Sequence, residues 1–465
     1  MAMKDTVRGV LPPTARSFDA RYGKMENQLT QVVSATDDIT RRLQALEQRL
    51  AYFENLSYET TRAQRYANAE YLRLSHGSHA PGEKRILVAG WYGADNLGDE
   101  LMLRAVLSHL PERALSRTTV LLWDNPTYER LSLDLRVSTI HYPTTTWQLE
   151  ALADAFDIVV WGGGAILDDR QFDGNPENFN TGNLFIRLNE MMIARGKSVW
   201  CLGLSSNATL EDEKYLSHLA HIVAEARDFS IRDPYSLATL TDNGISSEQI
   251  WRCHDLALAD KSLPDLQREI RLDGPNEAEG TFTLGFALFN DESLAGDNAR
   301  VVDAALDFFE KAMPNASIKA RLIPSLNENG FDEHLDELVQ ELCEHDREQI
   351  ELAPYIIDLR HSPLPSCDAC VCYKYHAALI AGTLGIPFLA VSKGDHPHYK
   401  NKMRFLAELM GTPESFVESH DFAVHPEKAL CVLAELAQAP RQLDPQVLED
   451  AQSYLGDTCG RIANE

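Results

Sequence analysis

Two short runs hold the residue types that proton transfer and anion binding require. The first is Gly90-Trp91-Tyr92-Gly93-Ala94-Asp95-Asn96-Leu97-Gly98-Asp99-Glu100, in which glycines frame four acidic or amide side chains. It follows the apolar stretch Ile86–Ala89 and precedes a helical pattern that starts at Leu97, so it reads as a strand turning sharply into a helix. Such a turn aims backbone N–H groups and the positive end of a helix dipole into one concavity. A phosphate-binding loop would place a lysine here. This loop places Asp95, Asn96, Asp99 and Glu100, which repel phosphate and suit the hydroxyls of a sugar. Asp95 or Glu100 alone reads equally well as capping; the whole run does not.

The second run is Cys372-Tyr373-Lys374-Tyr375-His376, where another apolar strand feeds a helix. Lys374 and His376 then stand at a helix N-terminus. There the dipole favours an anion and lowers an imidazole pKa toward a value useful for proton transfer. A lone histidine at a helix start is more often a hydrogen-bonded cap, and the lysine two residues away shifts the balance toward catalysis. Downstream, His396-Pro-His398-Tyr-Lys400-Asn-Lys402 adds positive charge to the same face. Between the two runs, Arg232 closes the strand Phe229–Arg232, with Asp233 as an N-cap and Pro234 at the first helical position. Its planar fork meets carboxylate or phosphate with two parallel bonds.

Three further features bear on ligand chemistry. The strand Ile158–Trp161 ends in Gly162-Gly163-Gly164, whose missing side chains let backbone amides approach a ligand. Asp168 and Asp169 are adjacent on an extended backbone and point apart, so a solvated pair is expected rather than a cation site. Cys367, Cys370 and Cys372 have no second Cys/His pair at zinc spacing and read as a buried strand, so no metal is expected.

The elements that must position these groups alternate. Strands are expected at Arg85–Ala89, Thr118–Leu122, Ser138–His141, Ile158–Trp161, Val199–Leu204, Phe229–Arg232 and Ile250–Cys253, with helices such as Trp147–Ala155, Glu211–Ala224 and Tyr235–Asn243 between them. That alternation implies a parallel sheet covered on both faces. Polar Pro264–Gly280 reads as the crossing to a second domain, which restarts with strands Phe282–Phe289 and Ser317–Leu322, helix Glu333–Cys343, the strand–helix unit Ala369–Gly382, and strand Pro387–Val391. The fold class is therefore α/β, with two doubly wound Rossmann-like domains facing a cleft at the carboxyl ends of both sheets.

Ahead of them stands a different pattern. Leu29, Thr36, Leu43 and Leu50 fall at heptad position a, and Met25, Val32, Ile39, Leu46 and Phe53 at d, a narrow seam of about four heptads. Arg42 and Arg49 at g face Glu47 and Glu54 at the following e, the attractive arrangement for parallel strands, so a homo-oligomer is expected. The expected organisation is a flexible arm over 1–20, a coiled-coil helix over 21–75, domains over 84–262 and 280–440, and a C-terminal helical tail over 441–465.

The net charge of -27 argues against nucleic-acid binding and against a basic membrane-facing patch. Residues 1–80 hold 11 Lys/Arg and 9 Asp/Glu and the remainder 32 and 61, so any anionic ligand must be held by a local basic pocket. No apolar stretch approaches the ~20 residues that span a bilayer, and the N-terminus lacks a signal-peptide core. A cytoplasmic protein is expected, with room for a peripheral place at the inner face of the membrane.

Taken in order, Asn-Leu-Gly-Asp-Glu after the first strand, the Gly162–Gly164 turn, Arg232-Asp233 with Ser236, Asp255, Lys374-Tyr375-His376 and Lys402 resemble the polysaccharide pyruvyl transferase family over about 85–415. The resemblance implies a two-domain GT-B-like arrangement, acceptor side first and donor side second. It also implies transfer of the enolpyruvyl carbons of phosphoenolpyruvate to two hydroxyls of a sugar, giving a cyclic ketal and phosphate without a cofactor. On that reading Arg232, Lys374 and Lys402 hold the donor, His376 is the acid and Asp99 the base. Asn96 and Glu100 orient sugar hydroxyls, and Gly162, Gly163 and Gly164 line the site. The family usually has arginine where Lys374 stands and often leucine at Tyr375. Two rivals stay open: a GT-B nucleotide-sugar glycosyltransferase, with Glu333, Asp336 and Glu337 as carboxylates, and a non-catalytic coiled-coil scaffold.

Overall fold

The computed structural model describes residues 68–74, 83–94, 96–123, 137–206, 209–273, 280–288, 295–324, 335, 338–342, 349–392, 394 and 397–465. The expected coiled coil lies outside them except at its end, where residues 68–74 are helical; Asp95, Glu333, Asp336 and Glu337 also lie outside. The chain divides into Met1–Ala69 and Glu70–Glu465, and the second unit contains both sheets.

In chain order the strands are β1 Ile86–Ala89, β2 Thr118–Leu122, β3 Ser138–His141, β4 Ile158–Leu167, β5 Ser198–Ser206, β6 Asp228–Ile231, β7 Trp251–Arg252, β8 Thr281–Ala287, β9 Ser317–Leu322, β10 Ile350–Leu352, β11 Ala369–Cys372, β12 Phe388–Ser392 and β13 Phe416–Glu418. The longer helices are α1 Leu97–His109, α2 Thr146–Ala155, α3 Thr181–Ala194, α4 Glu213–Glu225, α5 Pro234–Asp242, α6 Leu263–Asp273, α7 Ala295–Ala312, α8 Tyr375–Leu384, α9 Pro397–Leu409, α10 Pro426–Gln438 and α11 Pro445–Asn464. The first sheet has the order β3-β2-β1-β4-β5-β6-β7 and the second β10-β9-β8-β11-β12-β13, parallel throughout. Both follow the doubly wound Rossmann order, with the switch point beside β1 in one lobe and β8 in the other.

Packing explains why the lobes act as one frame. A single core cluster runs from Ile86, Leu101 and Val106 in the first lobe through Leu256 and Leu258 to Leu379, Ile380 and Phe388 in the second. α6 belongs to this cluster. Of the stretch expected as a polar crossing, residues 264–273 are thus helical, because Leu263 and Leu266 share one buried face and Pro264 falls in the first turn, where no intrahelical N–H is needed. Its Gln267 side chain donates to the carbonyl of Thr383 at 2.7 Å. α11 returns to the first lobe: Arg461 donates to Asp228 at 2.5 Å, and Leu448, Leu455, Cys459 and Ile462 are buried, each large apolar chain contributing roughly 1.5–3 kcal/mol.

Two smaller differences from expectation have local causes. β4 does not stop at Trp161 but runs to Leu167, with its register against β5 shifting between Gly164 and Leu167. Asp168 is buried rather than solvated, bonded to Arg170 at 2.8 Å, while Asp169 accepts backbone N–H groups of Glu211 and Asp212. Among the described residues no helix is long and apolar enough to cross a membrane.

Candidate active site

The first turns of α1 and α8 meet across the interlobe cleft. A cavity of about 220 Å³ there is lined by Asn96, Gly98, Asp99 and Arg232 from the first lobe and by Lys374, Tyr375, His376 and Lys402 from the second. Two helix N-termini thus open on one space, and three cationic side chains line it. That combination favours a compact anion within a chain that is otherwise acidic.

Arg232 stands directly after β6, and Asp233 caps α5 by accepting the N–H of Ser236 at 2.7 Å. The guanidinium is buried, 2.6 Å from Asp255 Oδ2 and 3.0 Å from Ser205 Oγ. His376 Nε2 lies 3.5 Å from both Arg232 Nη1 and Asp255 Oδ2. A neutral ring can therefore accept from the arginine, and a protonated one faces a carboxylate. Burial alone would raise the Asp255 pKa, but Arg232 and His376 outweigh it and hold this carboxyl well below the usual range. Burial lowers the His376 pKa, against the pull of Asp255. The ring is neutral at pH 7, and an anion entering the cleft raises its proton affinity.

The opposing groups are tuned oppositely. Burial pushes Asp99 up to about 7, against the lowering effect of Arg232 and Lys402. Burial and then the charge of Arg232 bring Lys402 down to about 7. Paired groups with displaced pKa values in one cleft are the signature of acid–base assignments. The Tyr375 ring organises the cations: Lys402 Nζ is 4.5 Å and Arg232 Cζ 5.2 Å from its centroid.

Not every expected residue reaches the cleft. Glu100 is fully buried, and its Oε1 accepts the N–H of Gly93 at 2.7 Å, so it braces the loop instead of facing the cavity. Gly162, Gly163 and Gly164 lie beneath the site rather than in its wall. The Tyr92 hydroxyl donates to the Gly162 carbonyl, and a Cβ on Gly163 would overlap Met102. A Cβ on Gly164 would sit 3.0 Å from Asp99 Oδ1. These glycines let α1 approach β4, which sets where Asp99 stands. Lys400 pairs with Glu418 at 2.5 Å, away from the cavity lining. Asp255 is the site residue whose role sequence reasoning missed. It resembles an ordinary cap, accepting the N–H of Ala257 at 2.9 Å, although its place just past β7 at the carboxyl edge was a usable signal.

Gly98 has a role of its own. A Cβ there would overlap the His376 imidazole, so glycine is what lets the ring rest on the first turn of α1. Gly98→Ala favours the helix by up to about 1 kcal/mol by propensity, so the protein stays folded. The ring is displaced, and kcat/KM falls about 10²-fold, the usual effect of misplacing a catalytic group by about 1 Å. Unchanged turnover in Gly98→Ala, measured with Tm, would show that this contact is inconsequential.

Residues 96–395 match the family model for polysaccharide pyruvyl transferase. No curated protein matches the chain. Among solved structures, UDP-GlcNAc 2-epimerase of Methanocaldococcus jannaschii in complex with UDP-GlcNAc and UDP is similar at a TM-score of 0.50 and 11% identity, covering 82% of this chain and 99% of that one. The UDP-GlcNAc 2-epimerase of Neisseria meningitidis bound to UDP-GlcNAc gives 0.48 and 10%, covering 81% and 100%. Anabaena Alr3699/HepE in complex with UDP and glucose gives 0.45 and 13%, covering 81% and 100%. At these identities the likeness concerns the fold alone. The family match spans well over half the chain and includes Asn96, Asp99, Arg232, Asp255, Lys374 and His376, so this chain belongs to the polysaccharide pyruvyl transferase family.

Proposed function

We propose that the protein transfers the enolpyruvyl carbons of phosphoenolpyruvate to two hydroxyls of a sugar in a polysaccharide or its precursor, forming a pyruvate ketal and releasing phosphate. The observation that carries this reading is the convergence of Arg232, Lys374 and Lys402, two helix N-termini and the Asp255–His376 pair on one cavity of about 220 Å³. That volume is below the roughly 300–1,000 Å³ usual for drug-sized ligands and suits a three-carbon carboxylate–phosphate better than a nucleotide sugar.

The cations hold the donor phosphate and carboxylate. The bound anion makes His376 protonated, and His376 delivers its proton to the methylene carbon, which becomes the methyl group. The central carbon becomes an oxocarbenium ion. A sugar hydroxyl attacks it as Asp99 takes the hydroxyl proton, the carbon–oxygen bond to phosphate breaks, and a second hydroxyl closes the ring. Of the two hydroxyl protons, one balances the proton placed on carbon and the other leaves with phosphate. The Asn96 amide orients the acceptor.

Because Asp99 must be ionised and both Lys402 and His376 protonated, kcat/KM follows a bell near neutral pH. The acid limb is protonation of Asp99, and the alkaline limb is loss of the His376 and Lys402 protons. Lys402→Arg takes the lysine out of that limb, since arginine stays charged, and leaves His376 to set it. A profile flat from pH 5 to 9 would contradict both assignments. The reaction itself is tested by incubating the protein with phosphoenolpyruvate and cell-envelope glycan from its host, then measuring phosphate and the ketal methyl signal by NMR. Equal amounts of both are expected. Sugar transfer from UDP-glucose without either product would overturn the reading.

A further inference from the structure

The first lobe carries an aromatic surface that the reaction above does not use. Trp91 follows β1 and Trp123 follows β2, so both stand at the carboxyl edge of the sheet, the edge on which the cleft opens. Their rings are stacked at 4.7 Å, and Tyr142, just past β3, meets Trp123 edge-on at 5.0 Å. Trp123 is nevertheless 40% exposed. Trp91 packs against the core of the lobe and Trp123 stacks on Trp91, so the exposed part of the Trp123 indole is held rigidly at the surface, where an aromatic ring can take a flat apolar ligand.

The aromatic pair is tied to the candidate site through the chain. Trp91 and Asn96 belong to the same loop, five residues apart, which limits their separation to about 18 Å. That loop is pinned at three points: the Tyr142 hydroxyl donates to the Gly90 carbonyl, the Trp123 backbone N–H donates to the Tyr92 carbonyl at 2.7 Å, and the Gly93 backbone N–H donates to Glu100 at 2.7 Å. The platform therefore keeps a fixed position relative to Asp99, and Glu100 gains a purpose as one of its anchors.

We infer that Trp91 and Trp123 form a stacking platform for a pyranose unit of the acceptor glycan, one or more residues along the chain from the sugar that reacts. The occupant is identified by chemistry. The axial C–H face of a pyranose is apolar and flat enough to lie on an indole, and it is uncharged, which suits a strongly acidic protein. The inference rests on the reading of the acceptor as a glycan; it does not depend on the donor.

The test is tryptophan-fluorescence titration, without phosphoenolpyruvate, using a panel of cellohexaose, maltohexaose, mannohexaose and β-1,4-galactohexaose with the matching disaccharides. At least one hexasaccharide is expected to bind about tenfold or more tightly than its disaccharide, the scale seen when a nucleic-acid base stacks on an aromatic ring. Trp123→Ala removes that gain, and Trp123→Phe, which keeps an aromatic face, retains part of it. Equal hexasaccharide affinity in wild type and Trp123→Ala overturns the inference, as does a panel in which no hexasaccharide binds. A Trp123→Ala protein of lower mass by light scattering also overturns it, since the ring would then serve contact between copies. Failure of the donor reading is seen separately: loss of phosphoenolpyruvate binding with the length-dependent gain intact leaves the platform standing.

Discussion

His376→Ala lowers kcat/KM by about 10²–10⁴-fold while the protein keeps its fold, the range typical of losing general acid–base help. His376 sits in the first turn of α8, where alanine is a good helix former, and its ring is 13% exposed. Removing it leaves the Arg232–Asp255 pair at 2.6 Å intact, so stability changes little. What disappears is the one imidazole between a carboxylate and the donor cations. The chemical signature is specific. Wild type in D₂O places one deuterium in the ketal methyl group, and the variant loses that step in proportion to turnover. His376→Gln, which can hydrogen-bond but not deliver a proton at neutral pH, is equally slow. Wild-type turnover in either variant would remove His376 from the mechanism.

Arg232→Ala has the largest combined effect, because one change strikes both stability and the proposed donor binding. Arg232 and Asp255 are buried together, with side chains 2% and 1% exposed. Removing the arginine leaves a buried carboxylate without its closest counter-ion, at a cost of about 3–5 kcal/mol. The pH dependence follows from the depressed Asp255 pKa. In wild type the pair stabilises the fold above the ordinary carboxylate pKa of about 4 and loses that contribution as pH falls below it. In Arg232→Ala only His376 and the Ala257 N–H still hold the Asp255 pKa down against burial, so the loss of stability relative to wild type is smallest in acid and grows as pH rises. The double variant Arg232→Met with Asp255→Asn separates the two roles: stability recovers by about 2 kcal/mol or more, since an unpaired charge is gone, while turnover does not return. Recovery of turnover in the double variant would show that Arg232 acts only as a structural counter-ion.

Much of this site was legible in the sequence where a strand end, a cap and a charged residue coincide. β6, Arg232, Asp233 and Pro234 are one such run, and β11 followed by Lys374-Tyr375-His376 is another; apolar strands bounded by caps fix which residues sit at the sheet edge. β2, β3 and β9 have the expected bounds for the same reason. Sidedness was not legible. Asp99 and Glu100 are adjacent and chemically alike, yet one lines the cavity and the other is buried beneath the loop, a distinction set by one hydrogen bond to Gly93. The three glycines were legible as a place of close approach, but what approaches is α1 through Met102 and Asp99, not a ligand. β10 and β13 escaped notice because three-residue edge strands carry too little periodicity. Asp255 shows the remaining limit: a side chain that caps one element while gripping residues from both lobes looks, in sequence, like a cap alone.

The measurement that reaches furthest is the thermal midpoint of the wild-type protein with phosphoenolpyruvate and, separately, with UDP-glucose. A ligand held by the native cleft stabilises it by about 2.7 kcal/mol at a hundred times its Kd, a shift of several degrees. The two-lobed cationic cleft predicts that phosphoenolpyruvate raises the midpoint and UDP-glucose leaves it in place. A rise with UDP-glucose and none with phosphoenolpyruvate would contradict the account at its centre.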